Sequence, residues 1–211
     1  METQFYKSTG ASLSIGSTLA IIVMALHPAG GSIAEIIQIK TMIMITHALA
    51  ICCVPFMLFG FYGLSKRLMD KCQLSMLALI ISAIGLFAGM LAALFNGLAL
   101  PFFLDRNSET LEQNADHIGV ILQYGFAVNK AFDYVFIVGL CAAITLYSVL
   151  ILSSQKFPKW IGYLGLGILF LAILGAVTNF MFISLDGFRI FVFCIAAWIL
   201  SAGIVLMRTK E

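Results

Sequence analysis

The sequence predicts an all-α membrane protein, a bundle of six spanning helices with both termini on the cytoplasmic side, and three observations carry that prediction. The first is composition. Of 211 residues, 62% are hydrophobic and only 10% are charged, with a mean hydropathy of +1.06, whereas a soluble domain needs about a quarter of its residues charged to cover its surface. The second is length: apolar runs at 8–27, 41–65, 73–100, 131–153, 160–182 and 187–207 each supply about the 20 residues that cross a ~30 Å hydrocarbon core. The third is the placement of cations. Lys7, Lys66, Arg67, Lys71, Lys156, Lys159, Arg208 and Lys210 fall on one side of this threading and only Lys40, Arg106, Lys130 and Arg189 on the other, and the richer side is cytoplasmic. No linker or low-complexity tract divides the chain, which reads as one integral domain over 1–211.

The first run follows Lys7 and resembles a secretory signal in outline, but it is read as a retained span. It ends at His27, where Pro28 stops the helix. Ser32 and Glu35 have the spacing of a capping box, so the second helix is expected to start near Ile33 and project above the membrane, with a kink at Pro55. In the third span Gly85, Gly89 and Ala93 repeat every four residues, a stripe that lets helices approach closely. Asn96 and Gly97 continue it, which aims Asn96 into the bundle.

Span four needs a device. One straight helix from Ser108 to its cytoplasmic end would reach roughly 68 Å at ~1.5 Å per residue. The apolar stretch 118–128 is therefore expected as a short interfacial or re-entrant helix, a lid over what lies below. Within the span Asn129, Lys130 and Asp133 can share one face. A carboxylate at that depth is costly unless paired or wetted: Asp133 is expected to pair with Lys130 or Arg189, or else to be a ligand. Span five ends at Asn179, with Gly175 as its close-packing residue, and span six begins with Asp186 and Arg189.

Every span thus delivers a polar group to a layer near the outer boundary, and the inner half of the bundle reads as nearly bare of them. The expected ligand pocket comprises His27, His47, Asn96, Asn129, Lys130, Asp133, Asn179, Asp186 and Arg189, open to the outside with a closed floor. Glu35, Asp105, Glu109, Glu112, Asp116, Asp133 and Asp186 share the outer side with four cations, which favours cations there over anions. All three histidines lie on it. Imidazole ligates zinc, copper and haem iron, and His27 and His47 with His117 or Asp133 would give a divalent metal three ligands and an open position. A haem is the other cofactor these residues suit.

Other chemistry finds no support in the residues. Cys52, Cys53, Cys72, Cys141 and Cys194 show no CxxC spacing and read as small core residues. No GxSxG, P-loop or dinucleotide fingerprint occurs. Ser108, Glu109, Glu112 and His117 read as a solvated helical turn, and with no basic block nucleic acid is not a partner.

His27-Pro28-Ala29-Gly30-Gly31 after span one, His47-Ala48-Leu49-Ala50 opening span two, and Phe157-Pro158-Lys159-Trp160-Ile161-Gly162 ahead of a glycine-rich span five together resemble a loose group of small, uncharacterised bacterial multi-span proteins. The resemblance implies a prokaryotic inner (plasma) membrane and carries no activity with it.

Three function classes follow. The foremost is a binding site, with or without catalysis, for a metal, haem or small amphipathic ligand in the outer half. The next is an accessory, structural or immunity subunit with a protein partner or a second copy of itself. The third is a proton-coupled carrier switching through Asp133 and Lys130. In all of them the lipid bilayer is the protein's main contact.

Overall fold

A computed structural model describes residues 2–29, 32–69, 73–110 and 114–208. Lys71, Cys72, Glu112 and Lys210, together with Gly30 and Gly31 of the His-Pro-Ala-Gly-Gly segment, lie outside the described residues. The described chain is all-helical: α1 (Glu2–Leu26), α2 (Ile33–Gln38), α3 (Lys40–Leu68), α4 (Leu74–Ala92), a π-helical turn (Ala93–Ala99), α5 (Leu100–Arg106), α6 (Ala115–Ser153), α7 (Lys159–Val177) and α8 (Leu185–Met207). Six helical units are long and apolar enough to cross a membrane, with α4, the π turn and α5 counting as one, Leu74–Arg106. Their outward faces carry Ile80, Ile84, Phe87, Phe170 and Leu171, all exposed, as lipid-facing surfaces should be.

Small residues set the packing. Helix α1 lies between α3 and α8. A Cβ on Gly10 would stand 2.6 Å from the Met207 backbone nitrogen and 2.7 Å from the Gly203 carbonyl oxygen, and one on Gly60 2.3 Å from Leu13 Cγ. Helix α4 crosses α6 at Gly85 and Gly139, where a Cβ on Gly139 would meet Gly85 Cα at 3.0 Å. These approaches bring backbones together where a lipid-facing side chain would hold them apart. Helix α7 packs on α6 and α8 from outside.

Local expectations fare unevenly. Ser32 caps α2 as a complete capping box, with Ser32 N donating to Glu35 Oε2 at 2.7 Å and Glu35 N to Ser32 Oγ at 3.4 Å. Ile39 then separates α2 from α3, and α3 runs unbroken past Pro55. The separate lid helix is not formed. Residues 118–128 are the opening turns of a 39-residue helix, α6, which contains no proline. Its Gly119 and Gly125 have no neighbour within 4 Å of a would-be Cβ, and an isolated glycine tolerates helix at a cost of about 1 kcal/mol. At ~1.5 Å per residue α6 outruns the hydrocarbon core.

The two ends of the bundle are chemically distinct. At one, Lys66 Nζ sits 4.7 Å over the Phe5 ring and Lys156 Nζ donates to the Arg67 carbonyl at 3.0 Å. At the other, Lys40 pairs with Asp105 and Arg189 with Asp186. The half toward Lys66 is not bare of polar groups, contrary to the sequence reading. Ser65, Ser75, Ser82, Tyr147 and Ser148 are fully buried there. Ser65 Oγ donates to the Ser75 carbonyl at 2.9 Å, so Tyr147 Oη must be the donor in its 2.6 Å bond to Ser65.

Gly10→Ala should lower stability in detergent by about 1–3 kcal/mol, because the atoms it meets are backbone and cannot yield. Gly167→Ala, at an exposed position with nothing within 4 Å, should be neutral or stabilising by about 0.5–1 kcal/mol. Thermal unfolding of the two variants side by side measures the contrast.

Candidate functional site

Between α1, α3, α4, α6 and α8 lies a cavity of about 390 Å³, within the range of small-molecule sites. On α3 its lining runs from Ile43 to Met57 and on α8 from Leu185 to Ile199, roughly 21 Å of helix at ~1.5 Å per residue. Its floor is Met57, Leu140, Ile195 and Ile199. Beyond it buried Phe61, Leu64, Ile144 and Tyr147 fill the bundle, and neither Lys66 nor Arg67 lines the cavity. The polar residues are gathered toward the other end: His27, His47, Asn96, Asn129 and Asp133.

The chain break after α1 builds the first of these. Helix α1 ends at Leu26 and its last carbonyls lack helical partners. Arg189 Nη2 donates to the His27 carbonyl oxygen at 2.7 Å, while its Nη1 lies 3.6 Å from Asp186. The His27 ring turns so that Nδ1 donates to the Pro28 carbonyl at 2.9 Å. His47, on α3, bonds through Nδ1 to the Ile43 carbonyl at 2.8 Å. The two Nε2 atoms then face each other at 3.3 Å, with ring centroids 4.8 Å apart. A carbonyl accepts only, so both Nδ1 atoms carry the proton, and in the neutral rings both Nε2 atoms are lone-pair acceptors.

Gly97 makes room for this pair. A Cβ there would lie 1.9 Å from His47 Cγ. Pro101 has no N–H for the carbonyl of Gly97 four residues back, and the helix opens into the π turn over Ala93–Ala99; π turns occur often at functional sites. With the α-helical register altered, Asn96 lines the cavity and Gly97 lies beneath His47.

On the α6 wall Asn129 Nδ2 donates to Asp133 Oδ2 at 2.9 Å. This corrects the expected pairing: Asp133 is bonded to neither Lys130 nor Arg189. Lys130 is exposed on the outside of α6, and Arg189 is engaged by His27 and Asp186. Asn129 Oδ1 is buried without a hydrogen-bond partner.

Four further sequence candidates fall away from the cavity lining: Lys130, Arg189, Asp186 and Asn179. Asp186 is a solvated first-turn carboxylate of α8, favourable at a helix N-terminus. Asn179 is exposed and ends α7 with φ = 56°, with Phe180 N bonded to the Gly175 carbonyl at 2.8 Å and Asn179 N to the Ala176 carbonyl at 3.3 Å. That is a Schellman cap, for which Asn suits the left-handed residue. Gly175 accordingly makes space for the Phe182 ring and not for a neighbouring helix.

His117 is exposed on the first turn of α6 and does not join the other two histidines. Among the described residues no group of three or more His, Cys, Asp or Glu is arranged to hold a metal ion. The Nε2 pair offers two ligands at most. The touching rings also leave no room for a porphyrin between them, as bis-histidine haem ligation would require.

A second, smaller hollow lies between the π turn, α5 and α6, and shares Asn96, Leu100 and Phe126 with the cavity wall. Pro101, one turn after Gly97, is its one mark in the sequence.

No protein-family model, curated protein or solved structure matches the chain.

Gly97→Ala should displace the His47 ring and cost about 1–3 kcal/mol in unfolding free energy.

Proposed function

We propose that the protein is a multi-pass inner-membrane protein whose cavity binds a small amphipathic molecule, polar head toward His27, His47, Asn129 and Asp133 and apolar body toward Met57 and Ile199. The observation that carries this is the segregation within one cavity. Polar atoms lie at one end, and Met24, Met57, Leu140, Ile195 and Ile199 occupy the rest. A purely polar solute would leave the apolar floor unused, and a hydrocarbon would leave the acceptors unpaired at a cost of about 1–3 kcal/mol each.

The cation distribution supports cytoplasmic termini, with the cavity mouth toward the opposite side. The hollow along Asn96, Leu100 and Phe126 supports entry from the lipid between α5 and α6, a route suited to a molecule that partitions into bilayers. Metal binding is the less favoured reading because only two ligands converge. A carrier role is not favoured, since the lining stops at Met57, Leu140 and Ile199.

Ala50→Trp, which projects an indole into the cavity from the position one turn after His47, should abolish saturable binding of 4-phenylbutanol or a charged analogue to protein in nanodiscs while the variant still unfolds cooperatively. Equal binding by variant and wild type would place the ligand elsewhere. Thiol labelling of Glu109→Cys in spheroplasts, from the outside only, tests the orientation; labelling only from the cytoplasmic side would reverse it.

A further inference from the structure

We infer that the head group of the ligand is an organic ammonium, a protonated amine on an apolar body. This rests on the reading of the cavity as an amphiphile site and narrows it to one chemistry.

His27 and His47 spend their only N–H groups on backbone carbonyls and turn two Nε2 lone pairs toward each other at 3.3 Å. Two facing lone pairs repel, and each is satisfied by a shared donor. A nitrogen about 3 Å from both completes a triangle of ordinary hydrogen-bond lengths, and an ammonium carries three donors where a hydroxyl carries one. The α6 wall adds more acceptors. Asn129 Nδ2 gives one hydrogen to Asp133 Oδ2, its own Oδ1 is buried and unpartnered, and the Asp133 carboxyl stands beside it. Across the cavity, on the π turn, Asn96 is the other amide in the lining.

The charges agree. No lysine or arginine lines the cavity, so an anionic head would meet lone pairs and a carboxyl with no cation in compensation. Arg189, the nearest cation to the pair, is engaged by Asp186 and the His27 carbonyl. Phe126, Phe136 and Phe188 also line the cavity, and aromatic rings attract an ammonium through their faces.

The test compares three probes with one body: 4-phenylbutylamine, 4-phenylbutanol and 4-phenylbutanoate. Each is titrated calorimetrically at pH 7.5 into wild type, His47→Gln, Asp133→Asn and the cavity-plugged Ala50→Trp, all in zwitterionic nanodiscs. The amine should bind at least tenfold more tightly than the alcohol, and the carboxylate weakest. His47→Gln and Asp133→Asn should each cut the amine's affinity about tenfold and leave the alcohol's within twofold. If the alcohol or carboxylate binds best and Ala50→Trp abolishes that binding, the ammonium assignment is overturned while the amphiphile cavity stands. Should no probe bind in a manner sensitive to Ala50→Trp, the cavity reading falls as well.

Discussion

Inside a bilayer no water waits to satisfy a polar group, so each buried donor or acceptor finds its partner in the protein or in what the protein binds. This constraint sorts the polar residues of the chain. At the Lys66 end the hydroxyls of Ser65 and Tyr147 close on one another and on the Ser75 carbonyl, and the Trp198 indole donates to the Ile161 carbonyl at 2.9 Å. They tie α3, α4 and α6 together, and α8 to α7. Ser148 Oγ and Arg67 Nε, in the same half, are buried without a hydrogen-bond partner, but neither lines the cavity; at the other end two imidazole Nε2 atoms 3.3 Å apart and the unpartnered Asn129 carbonyl oxygen belong to residues that do. The first set ties helices together, and the second lines the cavity for which we propose a ligand.

The same packing that seals one end opens the other. Gly10, Gly60, Gly63 and Gly85 let α1, α3, α4, α6 and α8 meet backbone to backbone or close to it. Toward His27 that intimacy ends: α1 breaks before Pro28, α4 loosens into the π turn before Pro101, and the opening turns of α6 pack through Ile118 on Ile36, Ile43 and Leu104 instead. Two prolines that cannot donate, and one glycine under His47, shape the space. Arg189 then fixes the broken end of α1 to α8, which holds His27 in place without making the guanidinium part of the lining.

Composition and run length were sufficient for the six spanning units, because the lipid requirement acts on whole segments and tolerates errors of a few residues at each end. Depth counting likewise put His27 and His47 at one level on consecutive spans, where they touch. It failed where a local rule overrode depth. Depth alone makes Asn179 a pocket amide, yet an asparagine just past the end of an apolar helix is first a candidate for the left-handed cap. Charge alone gives Asp133 a cation, while Asn129, four residues earlier on the same face, meets it by hydrogen bond. The lid helix was inferred from membrane thickness, and the 118–128 sequence contains no residue that would end a helix. The smaller hollow depends on the altered register after Ala93, which no periodicity in the sequence marks.

His27 and His47, as neutral imidazoles with Nδ1 protonated, present unprotonated Nε2 atoms to one another 3.3 Å apart, both acceptors for one donor beside them. Nitrogen-15 NMR of histidine-labelled protein in lipid at pH 7.5 reads this directly. Both the His27 and His47 rings should show a protonated Nδ1 and an unprotonated Nε2 before ligand is added. A ring found with its proton on Nε2, or a pair sharing a proton as an imidazolium at that pH, would mean the acceptors are already satisfied and would contradict the account.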